Sequence, residues 1–383
     1  MRGEPDVVDH GRAVDGGDHR RLPGGDLDAR RDLPADPQVD CITTATDLPQ
    51  LLSGVTGVTK VSQLTGPDSP NRTDRFRVAG TDLGSMFRMD GKTWFVFGDT
   101  FGSRGEGLTG GGGEEWRSNA LAHSSDTDPT DGILLDGFVT DEQGWASEPV
   151  PGLKIDYDEM TIIPTYGFAV GGTMYLAFMS VKHWGEPGEW ETNHSGLAKS
   201  TDQGKTWTTL DSPQWPGDSN FVQVSVTEIE GELYFWGVTH GRFGGVQLMK
   251  MPTGDVEKQD AYRYYTGTTD GLPNWSADIA QATTIVTGTV GELSVMWSDY
   301  LHRWIMTSTD GGGAGTQIRE AAAPWGTWSD PMTLVSSADV PGLYAPYLLP
   351  EYTTDGGRTI YFTLSVWDPY QVFWYRADLV KKS

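Results

Sequence analysis

The chain has 383 residues, a net charge of −25 and only 37% hydrophobic residues, which is enough for a core at this length. So acidic a surface repels phosphate backbones and excludes nucleic acid as a partner, and no apolar run reaches the ~18 residues that span a membrane. One cysteine, Cys41, excludes an intrachain disulfide, while 50 Gly and 15 Trp suggest tight turns, short strands and a stacking surface.

Residues 1–40 hold nine Asp and six Arg but no Lys, Ile, Phe, Tyr or Trp. Such text cannot bury enough apolar area to offset its ordering entropy and is expected to be disordered. It reads as a solvated tail or as a start placed in the wrong frame. On the second reading the signal peptide is missing from this chain. Residues 41–59 are expected as a lead-in, and 60–383 as one β-propeller domain.

From residue 60 the sequence alternates strand, turn and strand. The pairs are 81–88 with 93–99, 160–169 with 173–180, 223–229 with 232–237, 292–298 with 303–307, and 344–351 with 359–365. Gly- or Asp-bearing turns join them, such as Asp90-Gly91, Gly171-Gly172 and Glu230-Gly231. Five pairs starting every ~50 to 80 residues predict an all-β chain with the five blades of a propeller. A β-sandwich is the structural alternative. Ser200-Thr201-Asp202-Gln203-Gly204-Lys205-Thr206-Trp207 matches the Asp-box hairpin of propeller blades. Its Asp caps a turn and its Gly takes positive φ, so Asp202 is structural.

The first pair carries the chemistry. A two-residue turn at Asp90-Gly91 places Asp82 directly opposite Asp99, with Cβ atoms ~4.5–5.5 Å apart. Facing like charges destabilise a hairpin, so they need a reason: a shared cation, or a split pair with one carboxyl protonated. Glycoside hydrolysis uses such a pair, and a gap of ~5 Å favours retention of configuration. A bulge would shift the register, and turn capping is the structural alternative.

Several supporting residues follow. Arg117 and Asn119 lie after a glycine-rich rim, 110–113, and are candidates to bind sugar hydroxyls. His183 and Trp184 offer a hydrogen-bonding group and a flat face for a furanose. Arg242, Glu292 (a third carboxylate that would tune the pair), Tyr347 and Trp367 complete the substrate-binding set. No metal-ligand spacing and no cofactor motif occurs. A structural calcium ion remains compatible with the sequence.

The ordered set Thr81–Gly84, Phe97–Gly102, Trp116–Asn119, Thr161–Pro164, His183–Gly185, Thr239–Arg242, Gly291–Val295, Tyr344–Tyr347 and Ser365–Val372 resembles the actinobacterial endo-D-arabinanase family, across residues 75–380. Ala345 departs from the glycine expected there. The resemblance implies a five-bladed propeller that cleaves α-D-arabinofuranosidic bonds within the arabinogalactan and lipoarabinomannan of cell walls. It also implies Asp82 and Asp99 as the catalytic carboxylates, read as nucleophile and acid/base respectively. The chain is then expected to be a secreted or envelope-associated monomer whose partner is a polysaccharide. A non-catalytic carbohydrate-binding propeller is the alternative. A sialidase, suggested by the Asp-box, lacks its arginine set.

Overall fold

The computed structural model describes residues 48–186 and 188–382. The disorder expected over 1–40, and Cys41 with it, lie outside the described residues. Each two-residue turn singled out in the sequence reverses the chain with both residues at positive φ. Asp90-Gly91 has φ 51° and 75°, Glu230-Gly231 has 51° and 79°, and Gly171-Gly172 has 55° and 81°. These values match the twist of the strands they join.

The hairpins are the inner halves of five antiparallel sheets. Blade one holds Leu83–Met89, Lys92–Phe97, Ala120–Ser124 and Gly137–Phe138. Blade two holds Thr161–Val170, Thr173–Trp184, Trp190–Ser200 and Thr208–Pro216. Blade three starts with Gln223–Ile229, Glu232–Val238 and Val246–Pro252, and adds a further hairpin, Arg263–Thr269 with Leu272–Ser276. Blade four holds Val290–Ser298, Arg303–Asp310, Gly315–Ala321 and Met332–Ser336. Blade five holds Leu343–Thr354, Thr359–Val366 and Gln371–Lys381. The first strand of each blade packs against the first strand of the next, and the ring closes between blades five and one.

Inner strands approach closely because small hydroxyl residues stitch them. Ser225 Oγ accepts from Val295 N at 3.0 Å, Ser294 Oγ accepts from Leu348 N at 3.0 Å, and Thr363 Oγ1 donates to Gly84 O at 3.0 Å. Large aromatics fill the space between the sheets, with Trp236, Trp304 and Trp374 fully buried. The Asp-box closes the outer hairpin of blade two. Asp202 accepts from Thr206 N at 2.9 Å and Thr206 Oγ1 at 2.7 Å, and these bonds hold its carboxyl down at about 2.

Two sequence expectations need correction. Residues 52–59, expected as part of a lead-in, belong to the strand Leu52–Gln63, the outermost of blade five, paired with Gln371–Lys381. Their apolar pattern is weak because one face of an edge strand stays in water. The register of the first hairpin also departs from the expected one. Ser85↔Val96 through Met89↔Lys92 pair as the turn dictates, but Leu83 pairs with Phe97. The shift is a bulge at Gly84 (φ 94°), preceded by Leu83 at φ 64°. Gly98 N therefore donates to Asp82 O at 3.1 Å, and Asp82 is not directly opposite Asp99.

The added outer strand is latched to blade four. Glu320, 1% exposed, accepts from Leu52 N at 3.0 Å and also from Leu51 N. Replacing it with Leu strands buried donors, and such groups cost roughly 1–3 kcal/mol. Glu320→Leu is expected to lower stability by about that amount in denaturant unfolding, and Glu320→Gln, which keeps one acceptor, by less.

Candidate active site

A cavity of about 750 Å³ opens where the inner strands begin, and all five blades contribute to its lining. Asp82 and Asp99 both line it. Each sits just outside a strand: Asp82 before Leu83–Met89 and Asp99 after Lys92–Phe97. The bulge at Gly84 moves Asp82 over Gly98, where a Cβ would run into Asp82 Oδ1. Only glycine at position 98 leaves room for that carboxyl.

The two carboxyls have different surroundings. Asp99 is 7% exposed, and both of its hydrogen bonds fall on one oxygen. Trp116 Nε1 and Thr161 Oγ1 each donate to Oδ1 at 2.7 Å. Burial raises its pKa to about 6, and the Thr161 and Trp116 bonds oppose that rise. Asp82 accepts from the Tyr344 hydroxyl at 2.8 Å through Oδ2, while Oδ1 is buried without a partner. Burial, and then the charge of Asp99, push Asp82 up to about 8, against the hydrogen bonds of Tyr344 and Tyr370. Around neutral pH one carboxyl is therefore protonated and the other ionised.

Glu292, 6% exposed, is held in a bidentate pair with Arg242, with bonds of 2.9 and 3.2 Å. Burial disfavours its charge, but the Arg242 guanidinium outweighs that penalty and keeps the carboxyl below its ordinary value. Arg242 also lies over the Tyr344 ring at 5.6 Å, so the only arginine on the cavity wall among the described residues is already engaged.

Trp184, Arg242, Glu292, Tyr347 and Trp367 reach the cavity with the two aspartates. Arg117, Asn119 and His183 do not. Arg117 donates to Ala146 O at 2.8 Å and to Arg77 O. Asn119, 1% exposed, clamps Val150 and Ile162 through their backbones. His183 turns away from its neighbour Trp184, towards Asp156 and Tyr157. The reason is alternation: Thr100 and Arg117 form a β-bridge, so Trp116 and Arg117 leave opposite faces. Within that motif the residue that lines the cavity and bonds Asp99 is Trp116, beside the Arg117 and Asn119 that the sequence reading singled out. Tyr344 and Tyr370 were quoted in the sequence set without a role, because an aromatic in a blade usually signals core. Among the described residues no group of three or more His, Cys, Asp or Glu is placed to hold a metal ion.

The sequence profile described as "Domain of unknown function (DUF4185)" matches residues 68–376. Notoamide biosynthesis cluster protein J of Aspergillus sp. (strain MF297-2) is 26% identical over 318 residues, covering 76% of this chain and 81% of its own. A crystallised protein from Bacteroides ovatus ATCC 8483 is 15% identical, with a TM-score of 0.52 over 88% of this chain and 97% of its own. The exo-β-1,3-galactanase of Phanerochaete chrysosporium is 8% identical, with a TM-score of 0.50 over 86% of this chain and 65% of its own. At these identities the two structures share the fold.

The raised carboxyls carry a stability signature. A carboxyl whose folded pKa exceeds its ordinary 3.8 contributes least once ionised, so stability falls as pH rises from 3.8 towards about 8 for Asp82. Asp82→Asn removes that penalty. Each pKa unit is worth about 1.4 kcal/mol, and the partial exposure of Asp82 screens part of it. The variant is expected to gain stability over wild type by roughly 1–3 kcal/mol more at about pH 8 than at about pH 5, read from unfolding curves at both.

Proposed function

We propose that this chain, which belongs to the DUF4185 family, is a glycoside hydrolase that cuts α-D-arabinofuranosidic bonds within a neutral cell-wall arabinan. The observation that carries the reading is the pair of carboxyls with split proton affinities on one cavity wall. Asp82, the more basic, holds a proton at neutral pH and is suited to give it to the glycosidic oxygen as the bond to the anomeric carbon breaks. Asp99, the more acidic, is ionised and has one oxygen unclaimed by protein donors. It either attacks the anomeric carbon or takes a proton from the water that does. This order reverses the roles that the family resemblance implied.

The remaining residues support the same chemistry. Trp116 and Thr161 hold Asp99 by one oxygen and leave the other for reaction. Tyr344 fixes Asp82. Ionised Glu292 adds negative charge that favours the protonated form of Asp82. Arg242 is committed to Glu292, so among the described residues the cavity offers no free guanidinium for an anionic sugar, which favours neutral substrates. Aromatic walls suit the apolar faces of sugar rings. The galactanase named above is a carbohydrate-active enzyme on the same fold, and a secreted or envelope location would bring this chain to its substrate. The hairpin argument for retention presumed direct opposition of the two aspartates, which the bulge removes. The first-formed anomer, read by proton NMR, gives the stereochemical course.

Incubation with purified arabinogalactan is expected to release D-arabinose oligomers. Asp82→Asn and Asp99→Asn should each lower turnover by roughly 10²–10⁴-fold while binding persists. The pH profile of kcat/KM should rise through about 6 and fall through about 8, as Asp99 loses its proton and then Asp82 does. An intact polymer that the protein still binds would favour the non-catalytic carbohydrate-binding alternative. Full turnover in both variants would remove these aspartates from the site.

A further inference from the structure

Beside the cavity lies a cluster that the proposed chemistry does not use. Tyr157, in the loop between blades one and two, is 62% exposed. Its ring is nevertheless fixed. It stacks on the His183 imidazole at 4.0 Å and 14°, with its hydroxyl 3.1 Å from Nε2. The other ring nitrogen, Nδ1, is 2.6 Å from Asp156 Oδ1. Tyr157 N donates to Lys182 O at 3.0 Å, which ties the loop to the strand that carries His183. Tyr157 also has φ 64°, a conformation that a bulky residue seldom adopts. Leu153 and Ile155 in the same loop are 58% and 52% exposed. Burial of the ring therefore does not compensate the ordering and strain. An exposed aromatic held rigid by a His–Asp pair is what a sugar face can stack on at little entropic cost.

The cluster lies outside the cavity lining but is joined to it through the chain. Met160 and Trp184, next in sequence to the loop and to His183, both line the cavity. Lys154, in the same loop as Tyr157, lies over the ring of the cavity-lining Trp116 at 4.8 Å. From Trp116 an aromatic row runs along the wall to Phe101 at 6.2 Å, Tyr370 at 5.8 Å and the half-exposed Trp367 at 5.6 Å. The row passes the reacting groups, since Trp116 is the residue that bonds Asp99. Local charge points to an uncharged occupant. Lys154 is paired with Glu148 at 2.8 Å and Lys182 with Glu191 at 3.1 Å, while Asp156, Asp158 and Glu159 flank Tyr157 in the sequence.

We propose that Tyr157, positioned by His183 and Asp156, is an outer subsite that stacks a neutral sugar residue of the same polymer whose bond is cut at Asp82 and Asp99. The proposal rests on the reading of the cavity as a glycosidase site. It accounts for cutting within a chain, because a subsite outside the cavity engages sugars beyond the one whose bond is cut.

The test compares wild type, Tyr157→Ala, Tyr157→Phe and His183→Ala on intact arabinogalactan and on size-fractionated D-arabinan oligomers. The loss of one stacking contact should raise KM on the polymer about tenfold in Tyr157→Ala, with kcat little changed. The ratio of KM values for short and long chains should shift with it. Tyr157→Phe keeps the ring and should restore most of the affinity, while His183→Ala should fall between them. Equal length dependence in wild type and Tyr157→Ala would overturn the subsite. A second measurement does not need turnover: retardation of Asp99→Asn in gels containing arabinogalactan, with and without Tyr157→Ala. Reduced retardation in the double variant supports the subsite, and unchanged retardation overturns it. A wild type that is retarded but releases no oligomers refutes the glycosidase reading alone. Equal retardation by polygalacturonate would overturn the assignment of a neutral sugar.

Discussion

Two carboxyls share a desolvated wall, and among the described residues no cation forms an ion pair with either of them; the nearest help is the charge of Lys154 on Asp99. Burial is the largest influence on both. A guanidinium beside them would hold both ionised and leave no proton to donate. The fold instead commits its one cavity arginine to Glu292 and surrounds the aspartates with neutral donors: the Trp116 indole, the Thr161 hydroxyl and the Tyr344 phenol. Neutral donors favour ionisation less than a cation does, so they can orient both groups and let their proton affinities differ. Asp99 receives two such bonds on one oxygen, whereas Asp82, held by tyrosines, is pushed further up by the charges of Asp99 and Glu292.

That difference depends on one backbone irregularity. With a regular register, Asp82 would pair with Asp99 in the ladder and the two side chains would stand side by side. The bulge at Gly84 slides Asp82 back by one residue, over Gly98 and against blade five. Gly84 packs on Val372 and Thr363, so the bulge is fixed by the neighbouring blade as well as by its own hairpin. A Leu at φ 64° before it is strain held at the place where the carboxyl must be aimed.

Much of the fold was legible in the sequence because its signals are local. Two-residue turns such as Asp90-Gly91 set strand ends, and the Asp-box declared itself by five fixed residues in a stretch of eight. The pair of aspartates was legible for the same reason, since a turn and a strand length brought them to one end. What could not be read depended on contacts between distant segments. The bulge at Gly84 is dictated by blade five, almost the whole chain away. The strand Leu52–Gln63 is a strand because it pairs with Gln371–Lys381. Arg117 and Asn119 look like ligand-binding residues by type, yet their partners are backbone groups of distant segments: Arg77 and Ala146 for Arg117, Val150 and Ile162 for Asn119. Side-chain alternation at the Thr100–Arg117 bridge was the signal that would have exchanged Arg117 for Trp116.

The site also lies on the seam where the ring closes. Asp82 and the bulge come from blade one, whereas Tyr344 and Tyr370 come from blade five. The bonds that cross the seam, Leu83 N to the Ser365 hydroxyl at 2.8 Å and Thr81 N to Tyr370 O at 3.0 Å, lie within a residue of Asp82. Blade five is completed by the strand that Glu320 latches. Ring closure and the aim of the proton-bearing carboxyl are therefore physically continuous. Loosening the last blade would first release Tyr344 from Asp82, and a carboxyl freed into water would return towards its ordinary acidity. A propeller with a relaxed seam would keep its core and lose the raised proton affinity of Asp82, so closure matters to the proposed chemistry before it matters to the fold.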